Sequence, residues 1–184
     1  MGVSAASLGE PEATPSVLIG FDGSDGARRA VARAGDLFPG SRAVVVTAWI
    51  GVTDVAPELL LAPGGVIPAA AAAFGEVMEE KARDLADAGS RFAIEAGLSA
   101  KPLAIRSRRA HWEAIVRCAD DLDVDVLVLG SRGHSAIVSA MLGSVATGVL
   151  NPMLGSVSTG VLHHSTRPVL LVPDRDNRDV STGR

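Results

Sequence analysis

Short runs of Val, Leu and Ile recur along the chain, each bounded by glycine, proline or charge and separated from the next by a longer stretch at helical spacing. Asp125–Gly130 (DVLVLG) is apolar without alternation, as a strand covered on both faces must be. Ser16–Phe21 (SVLIGF) and Arg42–Ile50 (RAVVVTAWI) are read as the first and second strands, and a third lies around Leu103–Arg106. Asp125–Gly130 is then the fourth and Arg167–Pro173 (RPVLLVP) the fifth. Between them, Ala27, Ala30, Val31, Ala34, Leu37 and Phe38 mark one helix face. Met78, Ala82, Leu85, Ala88, Phe92 and Ala96 mark a second helix over Glu76–Ala96, which Gly89 threatens to interrupt. Trp112, Ile115, Val116 and Ala119 mark a third. Strand and helix in alternation predict an α/β fold, a parallel sheet with right-handed crossovers and helices on both faces.

With 47% hydrophobic residues the chain of 184 suffices for one core, and with 3% aromatics and no Tyr that core must be aliphatic. Residues 1–15 and 174–184 read as loose tails around a domain over 16–173. A net charge of −4 and the lack of an aromatic platform argue against nucleic acid. No apolar run approaches the ~20 residues of a membrane span. The N-terminal stretch lacks a secretory leader's pattern, and the lone Cys118 has no disulfide partner, so a cytosolic protein is expected.

In a doubly wound sheet ligands sit beyond the carboxyl ends of the strands, where strand order reverses. The Gly, Asp and Ser residues concentrate after the first and fourth strands. After the first, FDGSDG places Asp22 where a carboxylate accepts from a ribose hydroxyl or an adenine amine, unless it or Ser24 serves only to cap the following helix. After the fourth, GSRGHSAIVSAMLGSV holds Gly130 and Gly133, which let backbone approach a ligand, with Arg132 and His134 as cations. Gly143-Ser144 then opens a helix whose free N–H groups favour an anion. There is no GxxxxGK[ST], no GxGxxG after the first strand, no GxSxG and no metal-ligand cluster. His163 and His164 point to different helix faces and make no metal pair. Arg106, Arg108 and Arg109 read as surface charge.

The spacing Gly130-x2-Gly133-x9-Gly143-Ser144 resembles the ATP-binding signature of the universal stress protein family. VLIGFDGSDGARRAV is similar to that family's first strand and Asp-bearing loop, and GSVSTGVLHHSTRPVLLV to its last helix and strand. The resemblance spans about residues 15–173. It implies a five-stranded sheet of order 3-2-1-4-5, an ATP pocket between the first and fourth strands, and a homodimer. By position, Phe21 and Asp22 would meet ribose and adenine, and Ala48 would line the base. Gly130 and Gly133 would meet ribose and phosphate, and Gly143, Ser144 and Val145 would hold the phosphates. The implied ligand is ATP, with or without Mg²⁺, in a nucleotide-responsive regulator of stress survival with an unknown protein partner. No general base stands out, so no catalytic residue is assigned. Slow hydrolysis, or self-phosphorylation on Ser144, stays open. The alternatives are an interaction module that no longer binds ATP and an adenylating enzyme, whose usual SGGxDS-like loop FDGSDGA only grazes.

One feature exceeds the family pattern. Met141–Leu150 and Met153–Leu162 differ at one position of ten, Ala146 against Ser158. Nine residues separate Gly133 from Gly143 but twenty-one separate it from Gly155, so the forward spacing selects the first copy. Counting back from the fifth strand selects the second. A single helix from Ser144 to His164 would run about 30 Å, against ~17 Å for a typical strand. Pro152 also disfavours a helical Asn151, so a break is expected there. The expectation is that the first copy stands in the pocket while the second bulges out before the last strand. The reverse arrangement, with the first copy as a flap, is the alternative.

Overall fold

Val17, Ile19 and Phe21 enter one core cluster and Leu18 another, the two-residue period of a strand buried on both faces. The computed structural model describes residues 15–51, 54, 68–133 and 154–173. Parallel strands β1 (Val17–Gly20), β2 (Arg42–Ile50), β3 (Ser99–Ser107), β4 (Val126–Gly130) and β5 (Val169–Val172) form one sheet of order β3-β2-β1-β4-β5. The helices are α1 (Asp25–Leu37), α2 (Pro68–Glu95), α3 (His111–Asp121) and α4 (Ser156–His164). The expected α/β fold and strand order are observed. In the register, Ile19 lies opposite Val45 on one side and Val128 on the other; β1 ends at Gly20 and β4 at Gly130, while β2 runs on to Ile50 beside β3.

Ala27, Ala30, Val31 and Ala34 of α1 and Ala93 of α2 cover one face. Ile115, Cys118 and Ala119 of α3 and Val161 of α4 cover the other. Burying a side chain such as Leu18, Ile19 or Leu127 contributes roughly 1.5–3 kcal/mol. Small residues let the first pair of helices approach closely. A Cβ on Gly35 would lie 2.7 Å from the Ala96 Cβ, and one on Gly89 2.7 Å from the Phe21 ring.

Several expectations need correction. The second long helix begins at Pro68, not Glu76, because Ala69–Ala73 are strong helix formers and proline is tolerated in a first turn. Gly89 does not break it; its missing side chain is what admits Phe21 and Val45. The buried line of α2 is Ala82, Ala86, Gly89, Ser90 and Ala93, rotated from the expected stripe, since only small residues fit that close to the sheet. β3 runs the full nine residues paired with β2 rather than only around Leu103–Arg106. The second copy does not bulge ahead of β5: it is α4, with Val161 fully buried against the sheet and Ser165–Pro168 returning to β5. The first copy, the expected break at Asn151-Pro152, most of the connection after β2 and nearly all of both tails lie outside the described residues.

Candidate functional site

The crevice opens where β1 and β4 end. Phe21 is tied down through its backbone: its N–H donates to Val46 O at 2.9 Å and its carbonyl accepts from Thr47 Oγ1 at 2.8 Å. Its ring packs on Phe92. The chain then turns through Gly23, whose φ of +80° suits glycine. Ser24 is the N-cap of α1, its Oγ accepting from Ala27 N at 3.1 Å. Asp22 does not cap the helix. Its Oδ1 accepts from Ser24 N at 3.0 Å and its Oδ2 abuts Gly133, where a Cβ would overlap it.

At the end of β4 a Cβ on Gly130 would lie 2.7 Å from the Gly26 carbonyl carbon, so the loop lies directly on the start of α1. Ser131 N donates to Val172 O, and Gly155 N donates to Ser131 O, each at 2.8 Å. The second of these bonds hooks the beginning of α4 onto the β4 loop. The Ser158 hydroxyl adds a 2.8 Å bond to Gly130 O. Gly155 is the N-cap of α4 and brings no side-chain cap. The first-turn amides of Ser156, Val157 and Ser158 have no carbonyl one turn earlier in the helix, and the positive end of the helix dipole sits there.

These elements surround a cavity of about 150 Å³. Phe21, Asp22, Ala48, Gly130, Arg132 and Gly133 all line it, so six of the residues singled out in the sequence come together. Gly143, Ser144 and Val145, and also His134, lie outside the described residues. Gly155, Ser156, Val157 and Ser158 form the helix-terminus wall. His111 and Ile115, at the start of α3, close the apolar side and were not anticipated. The only signal for His111 was its place just after the third strand. Burial holds its pKa below the ordinary histidine value, which favours the neutral ring, and its Nε2 is buried without a hydrogen-bond partner.

The residues suit a nucleotide at each end. Val46, Ala48 and Ile115 give an apolar seat for a base, and the His111 ring offers a hydrogen-bonding nitrogen. Asp22 supplies a carboxylate for a sugar hydroxyl. Gly130, Gly133 and the start of α4 present backbone to an anion, with Arg132 beside them. A cavity of this size takes part of a nucleotide, since whole-ligand clefts run to roughly 300–1,000 Å³.

A larger recess of about 790 Å³ lies between β3 and α3, with Leu103, Ile105 and Cys118 inside and Arg106, Arg108, Arg109 and Arg117 around it. It lies away from the β1–β4 reversal and lacks the glycine backbone. Arg106 is more than surface charge: it pairs with Asp54 at 2.9 Å and lies over the Trp49 ring. Burial, with Asp121 nearby, pushes the Cys118 thiol up to about 11. Among the described residues no helix is long and apolar enough to cross a membrane.

Solved structures share the whole architecture. Hypothetical protein MJ0577, whose biochemical function was assigned from its structure, superposes with a TM-score of 0.65 at 18% identity, over 90% of this chain and 99% of that one. A universal stress protein in complex with cAMP gives 0.52 at 25% identity, over 88% and 98%. The universal stress protein of Archaeoglobus fulgidus in complex with dAMP gives 0.52 at 19%, over 86% and 96%. No curated protein matches significantly. The universal stress protein family model matches residues 14–153, a span that takes in the first copy of the repeat and ends before the second copy's Gly155-Ser156. On that match over most of its length, the chain belongs to the universal stress protein family.

Proposed function

We propose that this chain is an ATP-binding universal stress protein, a nucleotide-responsive cytoplasmic regulator that works as a homodimer. The observation that carries the reading is the convergence of Asp22, the Gly130–Gly133 backbone and the uncapped start of α4 on one cavity with an apolar end. The cAMP and dAMP complexes of the two structural neighbours support adenine nucleotides as the ligand class. ATP is the member of that class favoured by the glycine loop and by the cation and amides beside it. Adenine lies between Ala48 and Ile115, with His111 Nε2 at its polar edge. The ribose hydroxyls donate to Asp22, and the phosphates meet Gly133, Arg132 and the amides of Ser156 and Val157. Bound ATP would supply a polyphosphate whose contacts differ from those of AMP, a basis for sensing nucleotide state. The chain's own residues bind and orient it, and none is assigned to cleave it. Mg²⁺, where present, would travel with the phosphates.

Native mass spectrometry of the purified protein, followed by calorimetric titration with ATP, ADP, AMP and cAMP, tests this. ATP is expected to bind at micromolar concentration and more tightly than AMP. No binding at millimolar nucleotide would instead favour the interaction module. Release of pyrophosphate with any acceptor would favour the adenylating enzyme.

A further inference from the structure

The two copies of the repeat are almost the same peptide, yet α4 is built from the second. Their single difference over ten residues falls at Ser158, whose side chain is buried and donates to Gly130 O at 2.8 Å. In a register shifted by twelve residues Ala146 would stand there, and that carbonyl would lose its bond. The next residues also diverge, with Asn151-Pro152 against His163-His164. The His164 ring stacks on Trp112, centroids 4.3 Å apart and planes 15° from parallel, while Gly160 leaves the room Trp112 fills. Shifted, Pro152 would replace His164. It has no stacking ring and no N–H for the last turn, and its own ring clashes with the carbonyl four residues back, that of Gly148.

We infer that Ser158 and His164 are positioning residues that assign the helix slot beside β4 to the second copy. Chain length agrees. With the second copy seated, the connection from Gly133 to the Gly-Ser pair holds twenty-one residues instead of nine, and four residues lead on to β5. With the first copy seated, the connection to β5 would hold sixteen (153–168) instead of four. Closure cost grows with the logarithm of loop length, so little more than one doubling is milder than two. The forward spacing from Gly133 therefore points to the copy that the packing rejects. That this slot receives phosphates rests on the nucleotide reading above. The assignment of the slot does not, and it can be tested without nucleotide.

A Cβ on Gly155 would lie 3.7 Å from the Arg132 Cα, so cysteines at these two positions are immediate neighbours when the second copy is seated. The double variants R132C/G155C and R132C/G143C report which copy occupies the slot, read as oxidation rate in a glutathione buffer by peptide mass spectrometry. The native Cys118 is buried, with its thiol pushed up to about 11, and stays out of the reaction. R132C/G155C is expected to close at least about tenfold faster. Adding S158A should narrow the ratio about three- to tenfold, the range of one hydrogen bond, by speeding closure at position 143. The exchange A146S/P152H/S158A/H164P should reverse the preference. If S158A slows closure at 155 without speeding it at 143, Ser158 only props the helix and the inference fails. It fails equally if the exchange variant folds, by circular dichroism, and keeps the original ratio. Should the exchange variant not fold, the S158A pair alone decides.

Discussion

The two ends of the sheet are built on opposite plans. At the amino end, the charged groups are matched within the protein, and the buried Ser41 Oγ ahead of β2 is the exception among the polar side chains there. Asp125 Oδ2 accepts from both the backbone N–H and the hydroxyl of Ser16, at 2.7 and 2.8 Å. Arg167 pairs with Asp123 at 2.9 Å and with Asp120, and donates to Val124 O. Gly35 lets α1 press against Ala96. At the carboxyl end, α4 begins without a side-chain cap and the His111 Nε2 is left without a partner. Glycine takes the place of side chains there too, but at Gly133 the space freed faces a carboxylate rather than an apolar helix. One end closes the fold, and the other leaves donors that a ligand can use. Buried groups without partners are rare enough in folded proteins to need an explanation, and His111 and the uncapped start of α4 lie at the end where doubly wound sheets bind.

Substitutions should separate the two ends. The largest effect is expected from Gly35→Val, which drives a side chain into the Ala96 backbone. It should cost about 2–3 kcal/mol of stability by urea denaturation and leave the ATP Kd unchanged at temperatures where the protein is folded. At the other end, Gly133→Ala puts a methyl against the Asp22 carboxylate. It should weaken ATP about tenfold by calorimetry, with Tm within a few degrees of the parent. An equal loss of stability in both variants would erase the contrast. His111→Phe keeps the apolar wall and removes the ring nitrogens. A few-fold loss of ATP affinity, as for one net hydrogen bond, is expected with a slight gain in stability. The smallest effect is a pH signature of the amino end. The bonds from Ser16 hold the Asp125 carboxyl below its usual value, so their stabilisation is present above the unfolded carboxylate pKa of ~3.9 and is lost as pH falls through the folded value. Ser16→Ala should therefore lower Tm at neutral pH, with the gap to the parent narrowing below pH ~4. A gap that stays constant through that range would show that Asp125 is not the group involved.

Much of the fold was legible because both faces of the sheet are covered. Continuous apolar runs such as Val126–Gly130 admit little besides strand, and β2 spans Arg42–Ile50 as read from its residues. The start of α2 was hidden because Pro68 and the alanine run have no charged face to set a period. Asp22, Gly130 and Gly133 could be found because a turn and a close backbone approach need those residue types in adjacent loops. His111 could not, since its chemistry comes from burial by tertiary neighbours, which no local pattern records. The choice between Gly143-Ser144 and Gly155-Ser156 was beyond spacing arguments. It turns on a single hydroxyl and a stacked ring, and the forward spacing from Gly133 runs to the other copy.

The scarcity of aromatic residues has a practical side. The chain has two tryptophans and no tyrosine, so its near-ultraviolet emission comes from two reporters with different neighbours. Trp49 lies beneath Arg106 at the end of β2, and Trp112 is stacked on the last residue of α4. Replacing either with phenylalanine leaves a native optical probe of the other neighbourhood. Movement of the final helix and events at the β2 end can then be followed separately, without an added dye.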